Sequence, residues 1–254
     1  MTDGRTTIAL RGNRALYGRR AIDVGPGVVV LRAAEAPGSP MLNRVVGLGV
    51  DEPATEALLD AAIAELGDAT FYVAVEPGAR PASLAAWLRE RGLEPGWGWM
   101  QFERGAEPAP PASTELAVRE IGADLGAAFA RVQRIAYGLP EAVEPWLASL
   151  PGTTGWTCWL AFAGDEPAAA GALYAEDGAC YLGFGATLPE HRGRGAQGAL
   201  LAARIDRALE LGCTLLTTET GERRDELPSN SYRNILRFGF REQAVVANWV
   251  RPSQ

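Results

Sequence analysis

The stretch from Ala179 to Gly212 constrains the fold of this chain more than any other. Ala179 to Ala186 is an apolar run that reads as a strand. The loop Thr187-Leu188-Pro189-Glu190-His191-Arg192-Gly193-Arg194-Gly195-Ala196-Gln197-Gly198-Ala199 then opens into a helix whose Leu201, Ile205, Ala208 and Leu209 share one face. Gly212 closes that helix in the position just past its end. Glycines at 193, 195 and 198 allow a tight turn and bring backbone N–H groups near a ligand without a Cβ in the way. The helix start adds N–H donors and the positive end of its dipole, and Arg192 and Arg194 add two full charges. Such an assembly suits a pyrophosphate.

Gly193-x-Gly195-x-x-Gly198 also spells a dinucleotide-binding fingerprint, with Glu219 near where a ribose-binding acid would sit. That fold makes its glycine turn directly at the strand end, whereas Leu188 to Arg192 intervene here. The 42 residues after Gly212 are also too few for the remaining strands of a doubly wound sheet. The dinucleotide match is a decoy.

Taken as Arg192-x-x-Gly195, with Pro189 before it and a long helix after it, the stretch resembles the acyl-CoA loop of the GNAT superfamily of N-acyltransferases. That loop runs Gln/Arg-x-x-Gly-x-Gly/Ala; here Gln197 holds the last position and Gly198 comes one residue later. A second family feature follows in order, a helix Ser229 to Phe238 ending in Gly239-Phe240. The resemblance spans Thr114 to Arg251; the plainer alternative is a glycine-rich loop with no ligand.

The resemblance implies direct transfer of an acyl group, most often acetyl, from acetyl-CoA as co-substrate to a primary amine, with no metal. It places the cofactor against Ala186, Thr187, Arg192, Gly193, Arg194, Gly195, Ala196, Gln197 and Gly198, with Asn230 and Asn234 contacting the CoA arm or merely capping and solvating their helix. A backbone N–H at Ala186 or Thr187 is expected to meet the developing oxyanion. The tyrosine that commonly protonates the departing thiolate falls at Ile235, so Tyr232, one turn earlier, is the substitute, or else an aromatic in the packing. Glu219 is the best placed base for the amine and Glu190 the second, each with a plain surface glutamate as its alternative. His191 is the sole histidine, and its loop position argues for a solvent or phosphate side. Ile235 leaves room for a different class of function, a catalytically silent acyl-CoA-binding or sensing module. Trp146, Trp156, Trp159 and Tyr181 either line an acceptor cleft, which favours an enzyme, or belong to the core.

Composition narrows the setting. The 254 residues carry a net charge of −7, which argues against a nucleic-acid partner. No apolar run reaches membrane-spanning length, and the polar start Met1-Thr2-Asp3-Gly4-Arg5 has no signal-peptide form, so a cytoplasmic protein with no membrane partner is expected. Cys158, Cys180 and Cys213 lie in strand-like runs without ligand spacing and read as buried thiols. All 24 basic residues are arginine, clustered at 192/194, 223/224 and 233/237; the last two pairs are equally a solvated surface or phosphate contacts. The acceptor, whether small amine, antibiotic, amino acid or protein N-terminus, stays open, as does monomer against homodimer.

The rest of the chain reads as α/β (α+β): two GNAT-like domains, each a mixed central sheet flanked by helices. Met1 to Gly25 gives no firm assignment. Strands are expected at 28–31, 71–75 and 97–102, a helix from Asp51-Glu52-Pro53 to Gly67 with Leu58, Ala62, Ile63 and Leu66 inward, and a helix from Pro81 to Gly92 with Leu84, Trp87 and Leu88 inward. The proline-rich segment 107–113 reads as a linker between domains 1–106 and 114–254. Beyond it, strands are expected at 115–121, 157–163, 168–174, 214–218 and 244–250, with helices at 124–137 and 140–150. Closing glycines 67 and 92 lie 25 residues apart and 212 and 239 lie 27 apart, each pair with a strand between two helices, as in a tandem repeat. In the first half Asp51 and Glu52 replace the two arginines and would repel a phosphate, so that half reads as a degenerate copy.

Overall fold

The computed structural model describes residues 4–223 and 230–251. Its first half runs through helix α1 (Gly4–Tyr17), strands β1 (Ala21–Gly25), β2 (Val28–Leu31) and β3 (Arg44–Val46), helix α2 (Glu56–Leu66), strand β4 (Tyr72–Val75), helix α3 (Leu84–Glu90) and strands β5 (Glu94–Pro95) and β6 (Trp99–Arg104). The second half has β7 (Ala117–Ile121), α4 (Gly126–Tyr137), α5 (Glu144–Leu147), β8 (Trp156–Ala163), β9 (Glu166–Glu176), β10 (Ala179–Thr187), α6 (Ala196–Glu210), β11 (Leu215–Gly221), α7 (Asn230–Arg237) and β12 (Arg241–Val250). Ser229 and Pro228, expected at the start of α7, and Arg224 of the second arginine pair lie outside the described residues.

Most expected elements are present, with shifted ends. Helix α2 starts later than the acidic turn: Thr55 is its cap, its hydroxyl accepting from Leu58 N at 3.1 Å, and Leu59, Ala62 and Leu66 form the buried stripe. Asp51, Glu52 and Pro53 therefore precede the helix rather than open it. The helix expected at 140–150 shrinks to α5 between two 3-10 turns, because Pro145 and Pro151 limit the ladder. Helix α1 and strands β1, β3 and β5 have no counterpart among the expectations. The indoles of Trp146 and Trp156 fasten α1 to the second half, donating to Leu16 O and Gly12 O at 3.1 Å each.

The described strands form one sheet in the order β1-β2-β3-β4-β12-β6-β11-β10-β9-β8-β7, with β5 beside β12. The two halves exchange their last long strands. β6 inserts between β11 and β12, and β12 reaches across to pair with β4. Read outward from the β12–β6 pair, the sheet is symmetric: β4 and β11 come next, each after one antiparallel step, then β3 and β10 by the parallel pairings. Residues 107–113 form neither helix nor strand, yet the sheet runs unbroken past them.

Side-chain alternation along the strands feeds separate cores. On one face α1, α4 and α5 cover Cys158, Leu160, Ala170 and Ala172; on the other α6 and α7 cover Ala161, Ala169, Leu182 and Leu216. Helices α2 and α3 pack on β2, β3 and β4 in a third core that Trp249 of β12 completes. The first of these cores draws residues from both halves, Ile8 and Leu31 as well as Phe129 and Leu160.

Candidate active site

The site begins where two strands part. β10 and β11 run parallel from Ala179↔Leu215 to Leu182↔Thr218, and there their pairing ends. β10 bulges between Gly183 and Ala186, then resumes its ladder with β9 at Ala186↔Ala170 and Thr187↔Ala169. Phe184 takes φ 56°, a conformation that costs a side chain about 1 kcal/mol or more, and is held there by ring packing on Phe129 and Trp156. Side chains satisfy the three carbonyls the bulge turns out. Arg204 Nη1 donates to Gly183 O at 3.0 Å, Gln133 Nε2 to Phe184 O at 2.7 Å and the Tyr137 hydroxyl to Gly185 O at 2.8 Å. Arg204 is buried on α6, and burial pulls its guanidinium down to about 10. Gly171 of β9 makes room for it: a Cβ there would lie 3.0 Å from Arg204 Cζ.

Beyond β10 the chain makes a 3-10 turn at Pro189–His191, passes Gly193 and Gly195, both at φ +79°, and enters α6. The first turn leaves the N–H groups of Ala196, Gln197 and Gly198 without acceptors inside the helix. Arg192 and Gly193 are exposed. Arg194, expected as a second free charge, is instead paired with Glu115 at 2.6 Å and lies 2.9 Å from His191 Nδ1. Thr114 ties the same residue's carbonyl at 2.7 Å. Gln197 also departs from expectation: its amide turns inward to Ala186 O at 2.7 Å and Thr187 Oγ1 at 3.0 Å, so it offers a ligand its backbone N–H. A Cβ on Gly198 would lie 2.9 Å from Arg237 Nη2, which brings a cation of α7 against this helix start. Of the two proposed oxyanion donors, Thr187 is the one facing the gap. Leu188 N donates to β9 at Ala168 O, and alternation turns the Thr187 N–H the other way.

Glu219 sits on β11 across the gap. Its carboxylate accepts from the Tyr181 hydroxyl at 3.1 Å and from Gln101 Nε2 at 2.7 Å. Burial, with Glu219 adding to it, raises the Tyr181 phenol well above its ordinary range and keeps it a donor. Tyr232 does not reach this place. It is buried edge-on against Phe102, with its hydroxyl 2.6 Å from Glu242, and its phenol is pushed up to about 12 by burial and then by Glu242. The reason is β6, which carries Phe102 from the first half into the face that α7 covers. Ile235 and Asn234 line the cavity instead, while Asn230 is exposed and bonded to Arg233. Glu190 is exposed in the 3-10 turn.

The gap opens into a cavity of about 300 Å³. Tyr181 and Trp146 line it; Trp156 and Trp159, the other expected aromatics, are core. Much of the wall comes from the first half, through Asn13, Tyr17, Met41, Arg44 and Trp99. Nothing in the sequence pattern of those residues marks them as site residues. A smaller adjoining groove shares Asn13, Arg44, Trp99 and Glu219.

The corresponding entrance in the first half, between β3 and α2, is filled by the chain itself. Ala54 N donates to Arg80 O at 2.8 Å and Arg80 N to Gly49 O at 2.9 Å, while the Arg80 side chain reaches Asp51 O at 2.9 Å. Thr55 takes a further donor of the first turn.

Residues 129–227 match the model of the acetyltransferase (GNAT) family. No curated protein matches the chain. Among solved structures it is similar to a GCN5-related N-acetyltransferase from Kribbella flavida, with a TM-score of 0.66 at 20% identity over 98% of this chain and 95% of that one. A GCN5-related N-acetyltransferase from Sphaerobacter thermophilus gives a TM-score of 0.65 at 14% identity, covering 89% and 77%. A tandem GNAT protein from the clavulanic acid biosynthesis pathway gives 0.61 at 16% identity, covering 89% and 79%. The sheet and helices are thus GNAT-like. Among the described residues no helix is long and apolar enough to cross a membrane.

Proposed function

We propose that the chain is an N-acyltransferase that moves an acetyl group directly from acetyl-CoA to a primary amine, small-molecule or peptide, in a tandem GNAT arrangement whose second half does the chemistry. The observation that carries this is the parting of β10 and β11 after Leu182↔Thr218, with the α6 N-terminus on one side and Glu219 on the other. The pyrophosphate lies against the N–H groups of Ala196 to Gly198, with Arg192 and Arg237 supplying charge. Thr187 N–H meets the thioester oxygen. The amine enters from the cavity and gives its proton to Glu219, the nitrogen forms a bond to the carbonyl carbon, and the C–S bond breaks. Tyr137, a phenol in the cavity wall, protonates the thiolate, the task Ile235 lacks the group for. Ile235 does favour a second reading, a silent acyl-CoA-binding module; a cavity on the far side of the gap favours the enzyme.

One CoA should bind per chain, because the first-half entrance spends its donors on Arg80 and Thr55. Calorimetry should give a stoichiometry of one, and Arg192→Glu, exposed and so harmless to folding, should weaken binding about 5- to 10-fold. Saturation at two per chain, or unchanged affinity in that variant, would remove the loop from the proposal. Gly195 is a poorer probe, since a Cβ there would lie 2.4 Å from Ser113 O.

A further inference from the structure

We propose that the acceptor is a free α-amino acid, its carboxylate held by Arg44 and Trp99 while Glu219 takes its ammonium group. This rests on the acyl-transfer reading above and deepens it. Two donors buried in the cavity wall have no partner, Arg44 Nε and Trp99 Nε1. A buried donor without an acceptor is costly in the folded state, and two beside one cavity call for an acceptor brought by a ligand. Both residues also line the adjoining groove, and Glu219 is the carboxylate that lines both spaces with them.

Glu219 and Arg44 do not neutralise each other. The Glu219 oxygens are held by Tyr181 and Gln101, and Arg44 forms no ion pair among the described residues. A carboxylate and a cation kept apart in one cavity complement a zwitterion. The planar guanidinium fork matches a carboxylate, and the indole N–H adds a neutral donor. Buried Asn43 fixes the chain one residue before Arg44, donating to Ala36 O at 2.9 Å and Ser39 O at 3.0 Å and accepting from Ala33 N at 2.9 Å. The other cavity cation, Arg204, is occupied with backbone carbonyls. A polycationic amine would set a positive charge against Arg44. A protein N-terminus has its α-carboxyl locked in a peptide bond and offers no carboxylate. Leu16, Tyr17, Leu139, Trp146 and Leu147 give one stretch of the wall an apolar surface, which suits an apolar side chain.

The test is calorimetry on the full chain loaded with CoA, which has no acyl group to transfer. The proteinogenic L-amino acids are titrated beside their carboxamides and their decarboxylated amines. At least one amino acid should bind about 10- to 100-fold more tightly than its amide and its amine. Arg44→Gln should erase most of that difference, Trp99→Phe part of it, and Arg44→Lys should retain some. Equal affinity for amides or amines, no binding by any amino acid, or a preference untouched by Arg44→Gln would overturn the proposal. The same panel with acetyl-CoA, read as thiol release, separates the two readings. Carboxylate-dependent binding without turnover keeps this site and removes acyl transfer; turnover on amides and amines alone does the reverse.

Discussion

Glu219→Gln should lower acyl transfer by about 10²- to 10⁴-fold while leaving CoA affinity unchanged. The amide is nearly isosteric: its oxygen can still accept from the Tyr181 hydroxyl, whose bond to Glu219 is 3.1 Å, and its NH2 can donate to Gln101 once that amide turns its oxygen inward, so the fold has little reason to respond. What it loses is the capacity to take a proton and to hold an ammonium. An amine is mostly protonated near neutral pH, so the loss should be greatest at low pH and shrink as pH rises toward the amine's own pKa. A pH profile of kcat/KM for both proteins reads this directly. Profiles of the same shape and height would move the role to Glu190, to water or to no group in the protein.

Arg204→Met should cut kcat/KM by about 100-fold with little change in Tm. Its guanidinium is buried, and burial lowers it from the ordinary arginine range to about 10, so the charge opposes folding by about 3 kcal/mol. The guanidinium is harder to protonate in the folded chain, so the cost is present in full below about pH 10 and fades as pH rises from there toward the ordinary arginine range. Methionine removes that cost at similar volume but orphans the carbonyl of Gly183, at about 1–3 kcal/mol, while Leu200 O keeps its helical bond. The two nearly cancel in stability. They do not cancel in the site, because Gly183 begins the bulge that parts β10 from β11, and a shift of about 1 Å there is enough for a 100-fold loss. Thermal melts beside steady-state kinetics separate the outcomes. A large fall in Tm with proportionate loss of activity would make Arg204 a plain core residue.

What the sequence made legible was local. The strand–loop–helix from Ala179 to Gly212 shows itself through apolar periodicity and glycine placement, and its elements stand where expected. Glu219, expected at the end of the next strand, stands on β11. Contacts between distant segments were not legible. Arg194 loses its free charge to Glu115, and Tyr232 packs under Phe102, a strand arriving from the other half. Neither partner leaves a trace in the spacing of the residue it takes. Helix α1 is mixed in polarity along its length and gains its place from the Trp146 and Trp156 indoles, far along the chain. The exchange of β6 and β12 is a matter of pairing, and strand pairing has no periodicity to read. Hence the strand, loop and helix start beside the gap were legible in the sequence, and the cavity wall that Arg44, Trp99 and α1 supply was not.

Mass spectrometry of a reaction containing the full chain, acetyl-CoA and a pool of amines and amino acids bears most directly on the central claim. One acetylated amine should accumulate, in step with free CoA thiol, and both should fall together in Glu219→Gln. Acetyl-CoA that binds but keeps its thioester, or loses it only to water at the buffer rate, would contradict acyl transfer and leave a binding module in its place.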